Sequence, residues 1–237
     1  MPKNAVNIIA IVFLLSSGLP WAVWQARAQE KTAYPVMAPL DEYLMFDKDA
    51  EIALARSAAP KSISDEAEVM VLGRGGYTTA VKGTNGFVCI VARGWTATTD
   101  DPVFWNPKNR SPICFNPAAA RSYLPLMLMR TKLVLSGASK TELVKAIGSA
   151  LDRKELPALE PGAMCYMMSK EQYLNDEAIH WHPHLMFFVQ GDAGKSWGAD
   201  LPGSPVMATK DPENRLTVLM VLVDTWSDGT PGPPIKH

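Results

Sequence analysis

The N-terminus of the chain carries the pattern of an export signal over residues 1–28. Lys3 supplies a positive start, residues 8–15 form an unbroken apolar run, and Ala26 and Ala28 are the small residues that a signal peptidase accepts. The pattern predicts cleavage after Ala28 and delivery to the periplasm or the cell exterior. It constrains the fold strongly, because it sets where the mature chain begins and predicts a compartment that permits disulfides.

The alternative is that the signal is retained as a membrane anchor. Residues 5–24 carry no charge, and about 20 apolar residues can span a bilayer. Asn7 dilutes this stretch, however, and Gly18 and Pro20 interrupt it, so that only its strongly apolar part has the length of a signal. We therefore expect cleavage, with no stable membrane insertion afterwards.

The length and the charge of the remaining chain limit its domain count and its partners. Cleavage leaves about 210 of the 237 residues, which suffices for one domain with a good core and is short for two. The sequence has 23 Lys and Arg against 24 Asp and Glu, with no sizeable basic cluster. Because phosphate binding needs clustered cations, we expect no nucleic-acid partner. A small molecule or another envelope protein is the expected partner.

The chain has three cysteines, Cys89, Cys114 and Cys165. In an oxidising compartment one pair is expected to form a disulfide. Cys89 lies in a strand-like run and Cys114 follows a proline-rich loop, so we predict a bond between these two. Closing that loop would stabilise the fold by about 3–4 kcal/mol. The alternative is that all three are buried thiols.

Hydrophobic patterns predict strands and helices in a mixed order. The predicted strands are 68–72, 77–81, 87–91, 163–168, 184–189 and 216–223, and the predicted helices are 41–59, 117–135 and 140–156. Asn85 and Gly86 predict a hairpin turn between the second and third strands. Ser139 and Glu142 have the spacing of a capping box at the start of the last helix.

This order of elements predicts a single α+β domain over residues 40–226. It would have a largely antiparallel sheet with two to four helices packed on it. Residues 29–39 and 227–237 are expected to be a flexible N-terminus and a flexible tail. The pattern does not assign the order of the strands.

Three of the four histidines alternate along the chain as His180, His182 and His184. On a strand, this spacing would place three imidazoles on one face, as in a site where Zn²⁺ activates water. Pro183 weakens the prediction, because proline disrupts a strand ladder. The alternative is a loop whose rings pack at the sheet edge and hydrogen-bond the backbone.

Sulfur-bearing residues lie close in sequence to these histidines and suggest a variant with copper. They are Met164, Cys165, Met167, Met168 and Met186. Thioether and thiolate ligands favour Cu(I). The alternative is that the methionines only fill the core.

Four tryptophans in or beside predicted loops are candidates for a ligand groove: Trp95, Trp105, Trp181 and Trp197. The alternative, which we favour, is that they cover the core of a one-domain protein. The Gly-Lys-Ser at 194–196 is not a phosphate-binding loop, since Val189 occupies the position where that motif needs its first glycine.

No motif identifies an enzymatic activity. We expect an exported, non-enzymatic module that binds a small ligand or a partner in the cell envelope. The alternative is a metal-binding protein or a Zn-dependent hydrolase that uses the His180–His184 cluster.

Overall fold

The computed structural model describes residues 34–176 and 179–235. The predicted signal, its cleavage site and residues 29–33 of the predicted N-terminal segment lie outside the described residues. The described residues belong to one compact unit. None of the helices in this part of the chain is long and apolar enough to cross a membrane.

An eight-stranded open sheet forms the centre of the described fold. Its strands are β1 Glu68–Gly73, β2 Gly76–Val81, β3 Val88–Ala92, β4 Ser111–Phe115, β5 Met164–Met167, β6 His184–Gln190, β7 Val206–Asp211 and β8 Leu216–Leu222. The spatial order is β2-β1-β3-β4-β5-β6-β8-β7, and β1–β3 is the parallel pair in an otherwise antiparallel sheet. The predicted α+β class is confirmed.

The predicted hairpin at Asn85 and Gly86 is wrong. Strand β1 lies between β2 and β3 and pairs with both. The segment that contains Asn85 and Gly86 therefore crosses the end of β1, and the two strands that it connects are not paired with each other. Gly86 does adopt a positive φ of 78°, and the Asn85 side chain accepts from Phe87 N and donates to Ile63 O. The two residues therefore make a turn, but long-range pairing with β1 decides which strand lies beside which.

The sequence analysis missed two strands, β4 and β7. Strand β4 contains Pro112, which argues against a central strand. The proline is tolerated because it lies opposite Val91 of β3, while the ladder with β5 begins only at Cys114. Strand β7 is half apolar and half polar, and it pairs only with β8 at the edge of the sheet. Neither strand has the hydrophobic alternation that a sequence pattern detects.

The described residues form five helices, where two to four were expected. They are α1 Lys48–Arg56, α2 Lys61–Ser64, α3 Pro117–Ser122, α4 Leu124–Leu135 and α5 Lys140–Asp152. Helices α1, α3 and α4 contact strands of the sheet, while α5 packs on α4. The predicted first helix starts later, because Asp47 caps α1, and Pro60 separates α1 from α2. Pro125 explains the break between α3 and α4, since its ring would clash with the carbonyl four residues back in a continuous helix. The predicted capping box at α5 is confirmed.

Both faces of the sheet are covered in its centre. On one face Ile90, Phe115 and Phe188 pack beneath α3 and α4. On the other face, a second cluster that includes Cys89 and Cys114 packs against α1. These two cysteines are directly opposite each other on β3 and β4 and form the predicted disulfide, with sulfurs 2.01 Å apart.

The chain beyond β8 folds back on the domain where a flexible tail was expected. Thr225 and Pro231 form an isolated antiparallel bridge. Ser227 N donates to Met168 O over 2.9 Å. Backbone hydrogen bonds of this kind hold the first part of the segment, while residues 236–237 lie outside the described residues.

Candidate functional site

A cavity of about 330 Å³ opens between one face of the sheet and the segments that cover it. Strands β4 to β8 form its floor, and its walls come from the β3–β4 connection, the start of α4 and the β5–β6 connection. Apolar side chains predominate in the lining, with a smaller number of polar groups among them. The volume and the lining are typical of small-molecule sites, which range over about 300–1,000 Å³.

Strand alternation places the residues of the cavity floor. Successive side chains of a strand point to opposite faces, so His184, Met186 and Phe188 of β6 share one face. Val218 and Met220 of β8 lie opposite Phe188 and Met186 and line the cavity with them. The floor is therefore built from neighbouring strands in register.

His184 is a polar residue on the floor of the cavity. Its side chain is buried, and its Nδ1 lies 2.7 Å from the carbonyl oxygen of His182. A carbonyl can only accept, so Nδ1 carries the proton and Nε2 of the neutral ring holds a lone pair. Burial lowers the pKa of His184, which keeps the ring neutral. Nε2 has no hydrogen-bond partner in the described chain and is not fully enclosed.

Tyr123 presents a hydroxyl to the same cavity. Its ring stacks on Phe188, with centroids 3.8 Å apart and planes 17° from parallel. Burial raises the pKa of Tyr123, and the nearby Asp211 adds to the effect, so the group stays a neutral phenol. Among the described residues the hydroxyl has no hydrogen-bond partner, and it is not sealed from open space. It remains free to donate to a ligand or to accept from one.

Two carboxylates and one guanidinium belong to the residues that line the cavity. The guanidinium is hydrogen-bonded to residues outside this lining. Asp211 is buried and accepts from Asn214 through the backbone and the side-chain amide, and burial raises its pKa. Asp101 accepts from Val103 N. The Arg93 guanidinium donates hydrogen bonds to Glu51, Tyr43 O and Val91 O. The lining therefore holds two carboxylates and one paired guanidinium, and the buried Arg130 acts electrostatically on Asp211 from outside the lining.

The three predicted histidines do not come together. His180 is exposed, with Nδ1 2.8 Å from Gln172 O, and His182 is half-buried. Strand β6 begins at His184, so strand alternation does not extend back through Pro183 to the other two. The described residues contain no group of three or more His, Cys, Asp or Glu side chains arranged to hold a metal ion. Of the three, His184 lines the cavity.

The four tryptophans also lie in different places. Trp95 and Trp105 belong to a core cluster, where Trp95 packs on Tyr43 at 4.8 Å and Trp105 O accepts from the Tyr43 hydroxyl. Trp197 packs on Phe187, on the face of β6 that points away from the cavity. Trp181 lines the cavity and is partly exposed.

The sequence analysis missed Tyr123 and Asp211 as site residues. Tyr123 lies between two helices and Asp211 ends the undetected strand β7, so no local motif marks either one. Met186 was among the sulfur-bearing candidates of the sequence analysis, and it follows His184 by two residues within one predicted strand. Its neighbour Met220 becomes a site residue only through the pairing of β6 with β8.

Comparisons with models of protein families, with curated proteins and with solved structures find no match to this chain.

Proposed function

We propose that this chain is an exported binding protein whose cavity holds a small, mainly apolar molecule. The observation that carries the proposal is the lone pair of His184 Nε2, which has no partner among the described residues, in a largely apolar cavity that Tyr123 also lines. A ligand with a hydroxyl or N–H donor would pair with Nε2 while its apolar body fills the cavity.

The surroundings of His184 favour binding over catalysis. Its Nδ1 faces a backbone carbonyl rather than a carboxylate that would stabilise an imidazolium. Ser111 donates its hydroxyl to Asn109, and Cys165 is a buried thiol whose pKa is raised by burial. Among the described residues around the cavity, these two do not offer an activated nucleophile.

Export is part of the proposal and has two supports. Residues 1–28 have the composition of a cleavable signal. The disulfide between Cys89 and Cys114 is compatible with an oxidising compartment such as the periplasm or the cell exterior. A Zn-dependent hydrolase remains a prediction that no contact of the described residues favours.

The test compares 1-naphthol with naphthalene, which share an apolar body and differ in one hydroxyl donor. Saturable binding of 1-naphthol to the mature protein would be measured by intrinsic tryptophan fluorescence and confirmed by calorimetry. His184→Leu should weaken 1-naphthol about 5- to 10-fold, because a net hydrogen bond is worth about 1–1.5 kcal/mol. The same variant should leave naphthalene affinity nearly unchanged.

His180→Leu is the matched control, since His180 lies in the same segment but outside the cavity lining. It should bind both compounds like the wild type. The proposal fails if neither compound binds saturably, or if His184→Leu and His180→Leu bind 1-naphthol equally.

A further inference from the structure

A row of sulfur-bearing side chains crosses the cavity face of the sheet. Cys165 of β5 lies opposite Met186 of β6, Met186 opposite Met220 of β8, and Met220 opposite Met207 of β7. Directly opposed residues have Cβ atoms about 4.5–5.5 Å apart. The sheet therefore aligns four sulfur-bearing residues from four strands, two of which, Met186 and Met220, line the cavity.

A histidine and a further methionine lie one step along the same face. Met167 of β5 is opposite His184 of β6, and both line the cavity. His184 precedes Met186 by two residues on β6, so their side chains point to the same side. Methionine side chains are long and flexible, which lets the sulfurs of Met167, Met186 and Met220 approach the imidazole.

This donor set has the chemistry of a soft-metal site. Neutral thioethers with an imidazole nitrogen select Cu(I), whereas Zn²⁺ prefers thiolates, imidazoles and carboxylates. The lining carries Asp101 and Asp211, and its guanidinium, Arg93, is paired with Glu51. Cu(I) carries a single charge, so its desolvation costs less than that of a divalent ion.

Core filling explains methionines but does not explain the histidine. An apolar core does not need an imidazole, and Nε2 of His184 has no hydrogen-bond partner among the described residues. Here the hydrogen bond to His182 O fixes the tautomer that leaves Nε2 unprotonated. A metal ligand needs this same state, because only the lone pair can coordinate.

We propose that Nε2 of His184 and the thioether sulfurs of Met186 and Met220, with Met167 beside them, bind one Cu(I) ion. Cys165 is not a ligand in this site, since it is fully buried and does not line the cavity. The copper proposal does not rest on the small-molecule proposal, although the ion and the molecule would share the cavity.

The test is an anaerobic titration of the mature protein with Cu(I) in competition with the chromophoric chelator bicinchoninate. The wild type should withhold one equivalent of Cu(I). The double variant Met186→Leu/Met220→Leu should bind on the order of 100-fold more weakly or worse, because losing ligands costs at least as much as losing the groups that orient them. Leucine nearly conserves the volume of methionine, so the fold should survive. X-ray absorption should show both sulfur and nitrogen bound to copper.

The matched control is Met164→Leu/Met168→Leu. Both methionines are buried and neither lines the cavity. Met164 belongs to β5, where alternation turns it from the face that carries Met167, and Met168 follows the strand. This variant should withhold Cu(I) like the wild type, and His184→Leu should not. The single variants Met186→Leu and Met220→Leu replace the double variant if circular dichroism shows that it is unfolded.

Two outcomes overturn the proposal. One is a wild type that withholds no Cu(I) from bicinchoninate. The other is equal affinity in the double variant and its control, which would show that these thioethers are not ligands. Binding of 1-naphthol, measured without metal, reports on the small-molecule proposal separately, so that the failure of one is distinguishable from the failure of the other.

Discussion

At the scale of single residues, one hydrogen bond determines what His184 can do. The carbonyl of His182 accepts from Nδ1 and thereby leaves a lone pair on Nε2. Burial then keeps the ring neutral by lowering its pKa. Both effects act on the same atom, and both proposals for the cavity depend on it. Protonation would remove the lone pair and place a charge in a buried site.

The first prediction at this scale concerns the pH dependence of stability. An unfolded histidine takes up a proton near pH 6.5, while His184 resists protonation in the folded state. The unfolded state therefore binds more protons, and the free energy of unfolding should fall as pH decreases through about 6.5. Urea denaturation between pH 7.5 and 5.5 measures this loss.

The variant His184→Gln provides the comparison, because glutamine does not titrate. It should show a weaker decline in stability over the same pH range than the wild type. Equal declines in the two proteins would mean that His184 is not the group responsible.

At the scale of elements, a buried ion pair attaches α1 to the sheet. Glu51 of α1 and Arg93, directly after β3, lie 2.9 Å apart with almost fully buried side chains. Arg93 also donates to Tyr43 O, and Glu51 accepts from Leu72 N of β1. The pair therefore joins one helix, two strand ends and the segment before α1. Removing one partner would leave the other charge buried without compensation.

The second prediction compares this pair with an exposed one. Glu51→Gln should lower the free energy of unfolding by about 3–5 kcal/mol, because the Arg93 guanidinium loses its anionic partner in the interior. Glu160→Gln breaks the exposed pair with Arg121 and should cost at most about 1 kcal/mol. Chemical denaturation of both variants at pH 7.5 checks the difference, and similar losses would contradict it.

Sequence patterns predicted elements well where the pattern was local. Strands β6 and β8 were predicted to within one residue, since both are strongly apolar. Strand β4 was hidden by Pro112, and β7 by its mixed composition. An edge strand of mixed composition, and a proline that lies outside the ladder with β5, are stable only because of the strands around them. A pattern read from one sequence does not contain these neighbouring strands, so it could not predict β4 or β7.

At the scale of the whole molecule, the signal and the disulfide belong to one prediction about export. The bond between Cys89 and Cys114 links neighbouring strands in the centre of the sheet. A chain that is exported before it folds would form this bond in the oxidising compartment. Cleavage and disulfide formation should therefore occur together.

The third prediction tests this at the level of the intact chain. Expressed in a bacterium with its native N-terminus, the protein should be recovered outside the cytoplasm, beginning at Gln29 and with one disulfide by mass spectrometry. Ala28→Asp should block cleavage and leave the chain attached to the membrane, because the peptidase site needs a small residue. Ala33→Asp, placed after the site, should be processed normally. A wild-type chain that stays uncleaved in the membrane would support the anchor alternative instead.

The sequence by itself determined the α+β class, the disulfide partners and most of the strands, because local periodicity and the small number of cysteines encode these. Only the tertiary structure decided the order of the strands and the composition of the cavity. Tyr123, His184, Asp211 and Met220 come from four separate parts of the chain and meet only through strand register and helix packing. The tautomer of His184 likewise follows from a backbone carbonyl whose position no motif specifies.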